Sequence, residues 1–141
     1  MKPINWGRVI LGGIAAGVVV NLSEYILNEI VLKKENEEAM KALGKSMPAG
    51  GSTMTVWIVW GFVLGIAAVW LYAAIRPRFG AGPATAMKAG LAVWILAYLL
   101  SSVAFWNLGL FPFSALAFVW GLVEALVATV VGAWLYKEEA V

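Results

Sequence analysis

Four long apolar stretches, covering about 9–32, 55–75, 86–106 and 113–136, constrain this chain more than any other feature. A spanning α-helix needs about 20 predominantly apolar residues, because the hydrocarbon layer is about 30 Å thick and each helical residue rises about 1.5 Å. All four stretches meet that length. Backbone groups in lipid must be satisfied within their own segment, and the alternating apolar and polar pattern of a transmembrane β-barrel is missing, so each span is expected to be helical. Composition agrees: 62% of the 141 residues are hydrophobic, 13% are charged and the mean hydropathy is +0.87, far from the balance of a soluble domain. The expectation is an all-α polytopic membrane protein, a single domain over residues 1–141 forming an up-down bundle of four transmembrane helices.

The residue inventory also excludes chemistry. The chain has no Cys and no His. It therefore lacks disulfides, thiolate metal sites, thiol nucleophiles and the commonest metal ligand and neutral-pH base. No cofactor, metal site or catalytic group is expected, and no nucleic-acid partner.

Charge placement bears on orientation. Lys2, Arg8, Arg76, Arg78, Lys88 and Lys137 fall on one side if the chain crosses four times, and Lys33, Lys34, Lys41 and Lys45, mixed with Glu35, Glu37 and Glu38, fall on the other. Six basic residues in short segments against four favour both termini in the cytoplasm, and a bacterial inner membrane is the expected location. The first apolar run continues to Leu32, longer than the core of a secretory signal, and is read as a span.

The first loop, residues 33–52, contains Ala39, Met40, Leu43 and Met47 at helical spacing. An amphipathic helix lying in the interface and a solvated loop with one helical turn both fit this pattern. Pro48 to Ser52 is expected to end any such helix. The segment from Arg76 to Pro83 reads as a rigid turn, with Arg76 and Arg78 at the level of lipid headgroups. Val59-Trp60-Gly61 with Trp70-Leu71-Tyr72, and Val119-Trp120-Gly121 with Trp134-Leu135-Tyr136, look alike at spacings that differ by about one helical turn. Duplication of a two-helix hairpin and chance resemblance between tryptophan-rich spans both remain open.

The few polar groups within the spans are more informative. Gly13, Gly17, Asn21, Glu24 and Asn28 follow one face of the first helix, and Gly121, Glu124, Ala128 and Gly132 follow one face of the fourth. Gly61 and Gly65 in the second helix also share a face with Ala68 and Tyr72, and small residues let helices approach closely in lipid. From helical rise, Glu24 lies about 24 Å beyond Arg8 and Glu124 about 20 Å before Lys137, so the two carboxyls are expected in one layer. A charged carboxylate near the bilayer centre costs several kcal/mol and marks a candidate functional site. No Lys or Arg falls at that depth, so the pair would hold a proton or exchange it for a cation. Asn21, Asn28, Tyr98 and Ser101, with Ser102, are the candidate partners, although hydrogen-bonding staples would need the same residues. Glu29 is close enough to the outer interface to be hydrated. Of the eight Trp residues, Trp6, Trp57, Trp106 and Trp134 read as interfacial anchors and Trp60, Trp70, Trp94 and Trp120 as bundle packing.

The combination of Asn21-x-x-Glu24, Trp60-Gly61, the turn Pro77-Arg78-Phe79-Gly80 and Trp120-Gly121-x-x-Glu124 resembles small bacterial four-helix integral membrane proteins of unassigned activity. That resemblance implies a fold and no mechanism. The small multidrug resistance transporters are similar in architecture, with four helices and a carboxylate in the first. The present chain departs from them in its longer first loop, its second deep Glu and the lack of their signature. Two functional readings follow: a proton, cation or small amphipathic ligand site at Glu24 and Glu124, with coupled transport as its extension, or a structural or accessory subunit. Membrane lipid, a second copy of the chain and a larger membrane complex are the expected partners. An intramembrane enzyme would need a reacting group and a water path that the sequence does not display.

Overall fold

The computed structural model describes residues 3–47, 51–112 and 114–138, and among these it is helical with no strand. Four helices are long and apolar enough to cross a membrane: α1 (Trp6–Val31), α3 (Gly51–Phe79), α4 (Pro83–Asn107) and α5 (Ala115–Leu135). A shorter helix, α2 (Lys33–Ala42), follows α1 directly. Local chemistry sets several ends. The Asn5 side chain accepts from the Arg8 N–H at 3.1 Å at the start of α1, and Ser114 accepts from the Ala117 N–H at 3.2 Å at the start of α5, each satisfying one of the orphan donors of a helix N-terminus.

Two boundaries differ from the sequence reading. Gly51 and Ser52 belong to α3, where the Gly51 carbonyl accepts from the Thr55 hydroxyl at 2.7 Å; Pro48 to Gly50 lie outside the described residues. The turn read at Arg76 to Pro83 is shorter, because α3 continues through Pro77 to Phe79. Proline removes one backbone donor, which a final helical turn tolerates better than a helix middle. The chain reverses at Gly80 and Gly82, both at positive φ. The reversal is fixed by the Gly82 N–H donating to the Tyr72 hydroxyl at 3.2 Å and the Thr85 hydroxyl donating to the Phe79 carbonyl at 3.2 Å.

Helix α1 lies against α3 and α5, and α4 lies against the same two helices from the other side. Contacting residues run in opposite directions along α1 and α3 and along α1 and α5. Gly13 meets Ile66 while Gly17 meets Phe62; Gly12 meets Gly132 while Ser23 meets Trp120. Close approach requires glycine at Gly65, where a Cβ would lie 2.5 Å from the Gly13 carbonyl oxygen and 2.9 Å from Gly17 Cα. Val69, with 0% exposure, occupies the junction between Gly12 on α1 and Gly132 on α5.

Burial is uneven along the helices. Val9, Ala16, Ala68, Val69, Ala73, Ala86, Ala89, Ala128 and Thr129 are the most enclosed and lie toward the end that holds the chain termini. Toward the α2 end, residues 54–60 of α3 and 103–107 of α4 are exposed. In lipid, exposed apolar surface carries no hydrophobic penalty, and stability derives mainly from van der Waals contact. Val69→Ala is therefore expected to cost about 1–2 kcal/mol, through lost contacts and not through transfer from water, measured by reversible unfolding in detergent micelles.

The terminal end is tied together by aromatic contacts. The Tyr136 ring meets Tyr72 edge-on at 5.9 Å, and its hydroxyl accepts from the Asn5 N–H at 3.4 Å. Arg76 lies 5.6 Å from the Tyr136 ring centre and 3.6 Å from Glu138. Arg76 is thus turned toward the C-terminal segment, whereas Arg78 remains exposed.

Candidate functional site

Glu24 from α1 and Glu124 from α5 face each other across the bundle, close enough to interact electrostatically, with no hydrogen bond between them. Helical periodicity accounts for the meeting. Glu24 continues the face of α1 that carries Gly13 and Gly17 against α3, and Glu124 continues the face of α5 that carries Ala128 and Gly132. Glu124 is 4% exposed, while Glu24 is half-buried.

Each carboxyl has a dedicated neutral donor. The Tyr98 hydroxyl on α4 donates to Glu124 Oε1 at 2.5 Å, and Asn28 Nδ2 donates to Glu24 Oε2 at 2.7 Å and to the Glu24 carbonyl at 3.0 Å. The second oxygen of Glu124 is buried with no hydrogen-bond partner among the described residues. Two carboxylates facing each other have acceptors only, so a shared proton or a small cation is what would complete this arrangement.

Two residues that the sequence did not single out belong to the same cluster. Ser23 accepts from Trp120 Nε1 at 2.8 Å, which joins α1 to α5 beside the pair. Asn36, on α2, donates through Nδ2 to Asn28 Oδ1 at 3.1 Å. The adjacency of Ser23 to Glu24 was a usable signal for the first; nothing in the local pattern of α2 distinguishes Asn36.

Other candidate residues stand apart. Asn21 donates to the Gly17 carbonyl at 2.9 Å and the Ile58 carbonyl at 3.2 Å, and lies over Gly61. It serves the α1–α3 contact. Ser101 lines a groove of about 340 Å³ between α3 and α4 with Trp60, Leu64 and Leu96. Gly121 approaches the Tyr98 ring, where a Cβ would lie 2.7 Å from Cδ1, so the absence of a side chain there makes room for the Glu124 donor. Trp94 is buried and donates to the Phe118 carbonyl at 3.2 Å, whereas Trp60 and Trp70 are exposed.

The backbone changes character at this level. In α1, residues Leu27–Val31 form a π-helical turn that begins three residues after Glu24, closed by the Leu32 N–H donating to the Leu27 carbonyl at 2.7 Å. In α4, Trp94–Leu99 form a second π-helical turn that contains Tyr98. Such turns are uncommon, widen the helix locally and concentrate at functional sites. Here they flank the carboxyl pair on two different helices.

Among the described residues, no group of three or more His, Cys, Asp or Glu stands together as a metal cluster. The only ion pair recorded among them is Arg76–Glu138, at the terminal end and far along the helices from Glu24 and Glu124. The chain matches no protein-family model, no curated protein and no solved structure.

Proposed function

We propose that this chain is a small multi-pass membrane protein whose Glu24–Glu124 pair holds a proton and exchanges it for a cation. In this reading the four spans form an up-down bundle with both termini in the cytoplasm of a bacterial inner membrane, and the glycine faces of α1, α3 and α5 hold it together. Coupled transport follows if the exchanged cation leaves on the opposite side, and a cationic amphipathic molecule is as suitable a ligand as an inorganic ion.

One observation carries the proposal. Two carboxyls from opposite ends of the chain meet inside an apolar bundle, each with a neutral donor and neither with a basic partner among the described residues. A purely structural role would be met more cheaply by amides, because an acid held in lipid gains nothing over Gln as a hydrogen-bonding group unless its proton is exchanged. The paired π-helical turns add support by placing local backbone irregularity at this same layer.

Infrared spectroscopy of the full chain in lipid bilayers tests the proposal. A protonated-carboxyl band is expected in the wild type, sensitive to deuterium and diminished when Na⁺ or an organic ammonium is added. The Glu24→Gln, Glu124→Gln double variant should lack it. An identical carboxyl spectrum in the two proteins, or no response to any cation, overturns the assignment.

A further inference from the structure

We infer that the Glu24–Glu124 pair communicates with water only on the side where α2 lies, and that α2 covers this access through Asn36. The inference rests on the proposed proton and cation site and adds its sidedness and its gate.

On the terminal side of the pair, the bundle is closed. Val20, Ala125 and Ala128 lie next to the carboxyls, and Thr129, Ala16 and Val69 follow them toward the termini, all buried. The polar groups there are turned to the backbone. Thr129 donates to the Ala125 carbonyl at 2.6 Å and Asn21 to the Gly17 and Ile58 carbonyls. Their donors are all directed to backbone carbonyls, and Asn21 Oδ1 lies against Gly61 at the α1–α3 contact, whereas an ordered water needs two to four polar partners.

On the α2 side, polar groups are continuous. Glu24 Oε2 accepts from Asn28, and Asn28 Oδ1 accepts from Asn36 on the helix that lies beyond it. α2 turns a half-buried stripe, Asn36, Glu37, Ala39, Met40 and Leu43, toward the protein and leaves Lys33, Lys34, Glu35, Glu38 and Lys41 exposed. Asn36–Asn28 is the one side-chain hydrogen bond between α2 and a span among the described residues. Breaking it frees both amides to bind water between the aqueous face and Glu24. Besides its own two carboxyls, the titratable group facing the pair is Tyr98 on α4; α3 contributes none, and α2 contributes the neutral Asn36 with the half-buried Glu37 next to it in sequence.

The chain contains no Cys, so a single introduced cysteine is the sole thiol to be labelled. The full chain carrying Glu24→Cys is inserted in vesicles with known orientation and treated with a membrane-impermeant methanethiosulfonate from each face in turn. Labelling is expected from the α2 face only, and adding Asn36→Ala should raise its rate about fivefold, the population change that follows loss of one neutral hydrogen bond. Thr129→Cys should stay unlabelled from both faces. Equal labelling of Glu24→Cys from both faces, or an unchanged rate with Asn36→Ala, overturns the inference. Glu124→Cys, which leaves the Glu24–Asn28–Asn36 chain intact, serves the same measurement if Glu24→Cys does not insert. Labelling of either cysteine does not depend on a proton being held, so its outcome is separate from that of the infrared experiment.

Discussion

Gly65→Ala is expected to destabilise the protein by about 2–3 kcal/mol, and Gly65→Leu to prevent the native α1–α3 contact altogether. The expectation follows from what a Cβ would meet: the Gly13 carbonyl oxygen at 2.5 Å and Gly17 Cα at 2.9 Å. Both are backbone atoms of a neighbouring helix, so no rotamer change relieves the overlap, and α1 must move away from α3 along their whole contact. In lipid that separation forfeits van der Waals contact with no hydrophobic compensation between the helices. Gly7 supplies the control. A Cβ there meets only Asn5 Oδ1 at 3.6 Å, and Gly7→Ala should be neutral or stabilising by up to about 1 kcal/mol from helix propensity. Unfolding in mixed micelles, followed by circular dichroism, measures both. Equal stability of Gly65→Ala and wild type would mean that α1 and α3 are not held at this distance.

The second large effect concerns the carboxyls one at a time. Addition of a binding cation to weakly buffered vesicles should release about one proton per chain from the wild type, and close to none from either Glu24→Gln or Glu124→Gln, because the proton belongs to the pair. The two single variants should nevertheless fold. Gln at position 124 still offers an acceptor to the Tyr98 hydroxyl, and Gln at position 24 still offers one to Asn28. Glu124→Leu is different, since it leaves the Tyr98 hydroxyl without its acceptor, at a cost of about 1–3 kcal/mol. A pH-indicator dye reads the release. Full release from either Gln variant would assign the proton to one residue and dissolve the idea of a shared site.

The features legible in the sequence are those that depend on length and period. Four apolar stretches give four helices because lipid leaves the backbone no alternative, and helical rise alone put Glu24 and Glu124 at matching depths. Tyr98 could be named because it lies at that depth on another span. The π-helical turns at Leu27–Val31 and Trp94–Leu99 had no signal, since both segments are apolar and lack the Gly or Pro that marks most backbone irregularities. Ser101 was named by face and depth, yet α1 and α4 stand diagonally with α3 and α5 between them, so Ser101 meets the Trp60 groove and not Glu24. Asn36 was invisible for a related reason. Its partner lies on the preceding helix across a change of direction, and periodicity within α2 carries no information about that angle. Pro77 misled, since a proline suggests a stop, whereas α3 continues past it to Phe79.

The contrast between the enclosed terminal half and the open α2 half has a mechanical consequence. With Gly13, Gly17 and Gly65 in backbone contact and Tyr72, Arg76 and Tyr136 engaged below them, that layer is a fulcrum and the remaining length of α3 is a lever. Rocking by about 10° around Gly65 would swing Trp57, about 12 Å farther along the axis, through about 2 Å and release the Asn21–Ile58 hydrogen bond. A displacement of that size is comparable to the width of a water molecule, and it would leave the contacts at the terminal end in place.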